Sequence, residues 1–229
     1  MHANAPAGLS LRNRPALASA AWLNRRMTAE ARQIGILLFD DVEELDAVGP
    51  WEVLSFWTRQ FPDDGYAVSC LSRTGGLVHC AKGLTVQAHH SYADAPPLDV
   101  LIYPGGQGTR PQLRDEEQLD WVRGQRSAVP LLTSVCTGSL VYAAAGLLAG
   151  RPATTHWSAM GLLTSLDPTI QARPDERFVD DGDTITAAGI SAGIDMALRV
   201  VARHHGDAVA RATARYMEYP FPEDNRKRV

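Results

Sequence analysis

The chain of 229 residues is poor in the features that assign a protein to a class at a glance. It has three cysteines, an odd count, and Cys70 and Cys80 lack the C-x-x-C spacing of a zinc site or a redox pair. Both read as filler in strands. With no recognisable secretory signal, this usage points to a reducing cytoplasm, where a nucleophilic thiol survives. No apolar run approaches the roughly 20 residues that cross a bilayer, so no membrane span is expected and the protein reads as soluble. Positive charge is not in excess. With 22 Lys+Arg against 26 Asp+Glu and a net charge of -4, neither nucleic acid nor an anionic membrane is an expected partner. Chelating histidines are missing too: His89-His90 and His204-His205 are adjacent pairs, which project in different directions on a strand or helix, so no metal is expected.

The ends carry little information. Residues 1–31 hold Arg12, Arg14, Arg25 and Arg26 around a short apolar piece, PALASAAWL. Arg25-Arg26 follows that piece directly, where a cleavable leader needs small residues, so a disordered extension is expected, with Met27 as an alternative start. The basic cluster NRKRV closes a short C-terminal tail, 220–229, expected to be solvated. Between them, 32–219 has the length and apolar content of one domain.

What the sequence does have is a repeated alternation of strands and helices. QIGILLF, 33–39, is a nearly continuous apolar run, as a strand buried on both faces requires. DDVEELD, 40–46, follows as an acidic loop, and Gly49-Pro50 leads into a helix with Pro50 in its first turn. YAVSCLS, 66–72, alternates like a second strand, Gly75-Gly76 turns the chain, and LTVQA, 84–88, is another short extended piece. DVLIY, 99–103, is a buried strand cut off by Pro104-Gly105-Gly106, whose backbone amides are expected to stand bare. Arg114 to Ser127 has helical composition, with Asp115 and Glu116 near its start, and PLLTSV, 130–135, is the next strand. Beyond ATTHW, 153–157, the stretch RFVDDGDTITAAG forms a hairpin around Gly182. Ile190, Ile194, Ala197, Leu198 and Val201 recur on one face of a long helix, and Asp195 falls near its start, where its charge favours the dipole. The alternation predicts an α/β fold with a mostly parallel central sheet covered by helices on both faces. Sites in such sheets form beyond the carboxyl ends of the strands.

TSVCTGSL, 133–140, sets a thiol between a strand and a helix, GSLVYAAA. A free cysteine is commonly just a small buried hydrophobe. At a sharp strand-to-helix turn, however, the first N–H groups of the helix and its dipole favour a thiolate, so the helix start is expected to lower the pKa of Cys136. The amides of Gly106 and Thr137 are candidates for steadying charge near a reacting carbon, as an oxyanion hole would; the plain alternative for Gly105-Gly106 is an ordinary tight turn. Trp51, Trp57, Trp121 and Trp157 are candidate walls for an apolar pocket, with core packing as the default for each.

The set LLFDDVEELDAVGPWEVL, LDVLIYPGGQG, TSVCTGSLVYAAAGLLAG, ATTHW and ITAAGISAGIDMAL resembles the ThiJ/PfpI superfamily, over about Gln33 to Met217. The resemblance implies a flavodoxin-like fold, similar to that of class I glutamine amidotransferases, a nucleophile elbow at Cys136 and a partner carboxylic acid at Asp46. Asp at 46 with Thr at 137 looks like the isocyanide hydratase branch. Relatives with glyoxalase or deglycase activity on small aldehydes carry Glu at the first position, and the peptidase-like ones carry His at the second. The reaction so implied converts an isocyanide to an N-substituted formamide through a covalent thioimidate on Cys136, with Asp46 as general acid and base and no cofactor. Two would-be anions side by side are expected to raise the pKa of Asp46. The resemblance also implies a homodimer, and His156 matches a histidine kept near the nucleophile, to be weighed against a structural role. The same domain resembles the sensor module of AraC-type regulators, which leaves a non-enzymatic small-molecule or redox sensor as the alternative.

Overall fold

The computed structural model describes residues 31–222, 225 and 226. The expected extension, Met27 included, lies outside the described residues apart from Ala31. In chain order the strands are β1 (Arg32–Leu37), β2 (Tyr66–Ser72), β3 (Gly76–His79), β4 (Thr85–Ala88), β5 (His90–Ser91), β6 (Val100–Tyr103), β7 (Leu131–Ser134), β8 (Pro152–Ala153), β9 (Gln171–Ala172), β10 (Phe178–Asp180) and β11 (Thr184–Ala187). The helices are α1 (Glu44–Gln60), α2 (Thr109–Gln112), α3 (Glu116–Ala128), α4 (Gly138–Ala144), α5 (Met160–Leu166), α6 (Ala192–His205) and α7 (Asp207–Tyr216).

Seven strands form one sheet in the order β10-β11-β7-β6-β1-β2-β5. All its pairings are parallel except the β10–β11 hairpin at one edge. Because successive side chains on a strand point to opposite faces, the apolar runs feed two cores at once. Ile34, Ile36, Val100 and Ile102 join Val53, Leu54, Trp57, Met196 and Val201 beneath α1, α6 and α7. Leu37, Leu101, Tyr103 and Leu132 join Leu119, Val122, Leu140 and Leu163 beneath α3, α4 and α5. Each such large side chain taken fully from water contributes roughly 1.5–3 kcal/mol, and most of the polar residues buried among them in the strands are small ones such as Ser69, Thr133, Ser134 and Thr186.

Several local expectations are corrected. The acidic stretch is not all loop: α1 begins at Glu44, so Asp46 lies in its first turn and Pro50 well inside it. A proline there lacks the N–H that would reach the carbonyl four residues back, that of Asp46. The helix continues because Gly49 and Pro50 are the contact with α6: a Cβ on Gly49 would meet Ile194 at 3.1 Å, and one on Gly193 would meet Pro50 at 3.4 Å. The LTVQA piece is extended as expected: β4 pairs antiparallel with β3 in a hairpin separate from the main sheet. Cys70 lies in β2, whereas Cys80 follows β3 rather than lying in a strand. Asp115 caps α3 by accepting the Gln118 N–H at 3.1 Å. Ile190 stands outside the long helix, which starts at Ala192.

The C-terminal stretch also departs from a solvated tail at the residues described there. Asn225 accepts the Phe178 N–H through its side chain at 2.9 Å and the Arg177 N–H through its carbonyl at 2.9 Å, and Arg226 bridges to Glu176. The peptide groups along β10 attract this segment because an edge strand leaves one row of them unpaired.

Candidate active site

The carboxyl ends of four neighbouring strands, β11, β7, β6 and β1, bring Ile190, Cys136, Gly105-Gly106 and Asp46 to one edge of the sheet. The centre is the turn between β7 and α4. Cys136 takes φ +54, a left-handed conformation that ordinary side chains rarely adopt. Its N–H is shared between the carbonyls of Ala187 and Ala188 at 3.1 and 2.9 Å. Its carbonyl accepts the hydroxyls of Ser139 at 3.1 Å and Thr155 at 2.9 Å. The elbow is thus fixed from both sides, and backbone strain of this kind persists only where neighbours over-determine it.

Small residues are obligatory around it. A Cβ on Gly105 would lie 2.5 Å from the Thr137 nitrogen and 2.8 Å from Cys136 Cβ, and one on Gly138 would collide with the Tyr103 carbonyl oxygen. Pro104-Gly105-Gly106 is therefore the wall against which the elbow closes.

Asp46 is fully buried, at 0% exposure, and Cys136 retains 6%. The carboxyl accepts the Gly105 N–H through Oδ2 at 2.9 Å, and Oδ1 is buried without a conventional hydrogen-bond partner. The carboxyl and the thiol interact directly. Burial raises the Asp46 pKa to about 7, with the nearby Glu43 charge adding to it, while the Gly105 N–H and the thiol oppose the rise. The rise agrees in direction with the expectation, but its first cause is desolvation rather than the neighbouring sulfur. For Cys136 the expectation is overturned. Burial first and the Asp46 charge second push the thiol up to about 12, although N–H groups of Thr137 and Ile190 aimed at the sulfur act the other way. Taking a thiolate out of water outweighs the helix start because α4 is short and the sulfur is nearly enclosed. At neutral pH the pair therefore rests as a thiol beside a carboxyl close to its own midpoint.

The amides expected to stand bare are both occupied. Gly105 N–H holds Asp46, and Gly106 N–H donates to Thr137 Oγ1 at 3.0 Å, which the Thr109 hydroxyl also reaches at 3.1 Å. Thr137 thus ties the elbow to the glycine loop with its side chain and faces the sulfur with its N–H. His156 caps the short helical turn Trp157–Ala159: its Nδ1 pairs with the Ser158 hydroxyl at 2.8 Å, and its ring packs against Gly189. Trp157 beside it is 76% exposed. Trp57 is core, Trp121 stacks on Tyr92 with ring centroids 3.9 Å apart, and Trp51 lines a cavity of about 210 Å³ with Ala47, Val48, Cys70, Cys80 and His89. That cavity is lined from α1, β2 and β4 and does not include Cys136 among its walls.

The histidine pairs serve packing. His89 Nδ1 accepts the Cys70 N–H at 3.0 Å, while His204 and His205 pair with Tyr66 and Asp64. Among the described residues no group of three or more His, Cys, Asp or Glu is placed to hold a metal ion. Nor, among them, is any helix long and apolar enough to cross a membrane. The residue that sequence reasoning missed is Ile190. Its neighbours Ala187-Ala188-Gly189 carry a signal, a strand ending in small residues, but nothing in the sequence marks a β-branched residue for φ +47.

The chain is similar to several known proteins. Isonitrile hydratase from Pseudomonas putida is 42% identical over 194 residues, 84% of this chain and 81% of that protein. The HTH-type transcriptional regulator GbdR from Pseudomonas aeruginosa is 28% identical over 82% of this chain, which spans only 51% of the regulator. Among solved structures, a ThiJ/PfpI family protein from Pseudomonas syringae superposes with a TM-score of 0.73 at 29% identity, covering 95% of this chain and 87% of that one. Residues 32–203, from the first central strand into α6, match the DJ-1/PfpI family, and the chain belongs to that family.

Proposed function

We propose that the protein hydrates an isonitrile to an N-substituted formamide, with Cys136 as nucleophile and Asp46 as its proton partner. The observation that carries this reading is the buried Asp46–Cys136 pair, in a chain 42% identical to an isonitrile hydratase. An isonitrile presents a terminal carbon that must gain a soft nucleophile and a proton. A carboxyl with its pKa raised to about 7 serves both needs, because it can take the thiol proton and return it at the same pH. The sulfur bonds to that carbon as its proton passes to the Asp46 carboxylate. Asp46 then protonates the same carbon, leaving a thioimidate. Water adds across its C=N bond, and collapse of the adduct expels the sulfur and releases the formamide. Atoms balance with one water per isonitrile, and no cofactor enters.

Thr137 and Ile190 N–H groups offset charge on the sulfur as it leaves, a role in keeping with their aim in the resting site. Gly105 and Gly106 serve as the wall and as the donor that orients Asp46. His156 is assigned a structural role as a cap, and Trp157, being exposed, meets substrate only at the rim. A homodimer completes the reading, since Leu45 and Val48 of α1 and Leu77 and Leu84 of the β3–β4 hairpin are exposed apolar residues that a second copy would cover, and a reducing cytoplasm is the setting in which the free thiol survives.

The test is formamide production from alkyl and aryl isonitriles by the purified protein and by Cys136→Ala. Many products per chain, lost in the variant, are expected. A single adduct per chain instead favours a sensor, the reading that the match to half of a transcriptional regulator keeps in view. Consumption of methylglyoxal without isonitrile turnover would transfer the same pair to aldehyde chemistry.

A further inference from the structure

The strained turn at Ile190 is held by groups that lie outside the site. Ile190 is β-branched, sits at φ +47, and still directs its N–H at the Cys136 sulfur. Such a conformation persists only where the surroundings impose it. The contacts on either side of the turn converge on Arg177, the residue just before β10. Ahead of the turn, the Arg177 carbonyl accepts the Ala188 N–H at 2.8 Å, and Ala188 in turn accepts the Cys136 N–H. Behind it, the guanidinium donates to the Ser191 hydroxyl at 3.2 Å and pairs through Nε with Asp195. Asp195 is 2% exposed in the first turn of α6, and the Tyr219 hydroxyl donates to its other oxygen at 2.9 Å. The helix-start role expected for Asp195 from the sequence is therefore only part of its work.

We propose that Arg177, with Asp195 and Tyr219, forms a positioning clamp that spans residues 188–195 and keeps the Ile190 N–H directed at the nucleophilic sulfur. None of these side chains touches the reacting atoms. The clamp works by fixing the segment before and after one strained residue, so that the turn cannot relax and withdraw its amide. The proposal rests on Cys136 being the reactive thiol, but not on the identity of the substrate.

Alkylation of Cys136 by iodoacetamide tests it, followed by peptide-resolved mass spectrometry across about pH 7 to 10, because the rate tracks the thiolate fraction. Cys70 and Cys80 serve as internal references. Losing one amide donor to the sulfur is expected to slow Cys136 alkylation about fivefold in Arg177→Met and about twofold in Tyr219→Phe, at every pH below the thiol midpoint. General loosening gives the opposite sign, since an opened site exposes a buried thiol and speeds alkylation. Arg199→Met is the control, as it removes a different pair from the same helix, that with Asp180 at 2.8 Å. Unchanged or faster alkylation in Arg177→Met, or equal slowing in Arg199→Met, overturns the clamp. Should Arg177→Met not fold, Tyr219→Phe decides by the same signs, and it alters no formal charge. Alkylation requires no isonitrile, so a failed hydration assay leaves this test intact.

Discussion

Replacing Asp46 by Asn should remove the proton partner and yet make the protein more stable at alkaline pH. The folded carboxyl has its pKa raised from 3.8 to about 7 by burial. Well below pH 3.8 both folded and unfolded chains carry the proton, and well above pH 7 neither does. In between, the folded state binds more protons, so stability falls as pH rises through that window. At about 1.36 kcal/mol per unit, the full cost of ionising the buried group is about 4 kcal/mol at pH 8. The thiol stays protonated throughout, being pushed up to about 12, so the pair titrates as one group here. Asn keeps an oxygen for the Gly105 N–H but places an amide hydrogen where Oδ1 has no conventional partner, which returns about 1 kcal/mol. Urea unfolding of both proteins from pH 4 to 8 should favour the wild-type protein slightly at the acid end, by less than about 1 kcal/mol, and reverse to about 3 kcal/mol in favour of the Asp46→Asn variant at the alkaline end. A difference that stays constant across the range would refute the raised pKa, and with it the dual acid and base role.

Two further outcomes follow from the same geometry. If Asp46 must be a carboxylate to take the thiol proton, kcat/KM on an isonitrile should rise with pH through an acid limb centred near 7, and a profile flat from about pH 5.5 to 8.5 would contradict it. Gly105→Ala places a methyl 2.5 Å from the Thr137 nitrogen, so it should cost about 1–3 kcal/mol by urea unfolding and remove most activity; wild-type turnover would show that the elbow does not depend on close approach there.

The sheet was legible because its strands are apolar on both faces, which leaves few ways to fold runs such as QIGILLF and DVLIY except as central strands. The elbow was legible for a related reason: a thiol flanked by a strand, small residues and a helix fits a tight strand-to-helix turn and little else. Helix boundaries near Asp46 were not, since Pro50 suggests a first turn and only packing against Ile194 and Gly193 extends α1 back to Glu44. The state of the thiol was misjudged because a sequence shows the helix start but not the burial that outweighs it. Ile190 is placed by its sequence only on a helix face, because its contact with Cys136 is made by a backbone N–H, which every residue but proline possesses. Asn225 likewise looks like any residue of a polar tail until β10 offers it an edge.

Four strands that each carry one part of the site have a consequence for how activity arises during folding. Parallel neighbours cannot be joined by tight hairpins, so each pairing among β11, β7, β6 and β1 closes a long stretch of chain. Folding dominated by such distant contacts is slow, and no local fragment can hold a partial version of the centre. On the proposed reading, recovery of Cys136-dependent chemistry after dilution from denaturant is then a late event. It should lag helix formation seen by circular dichroism and coincide with completion of the central strands.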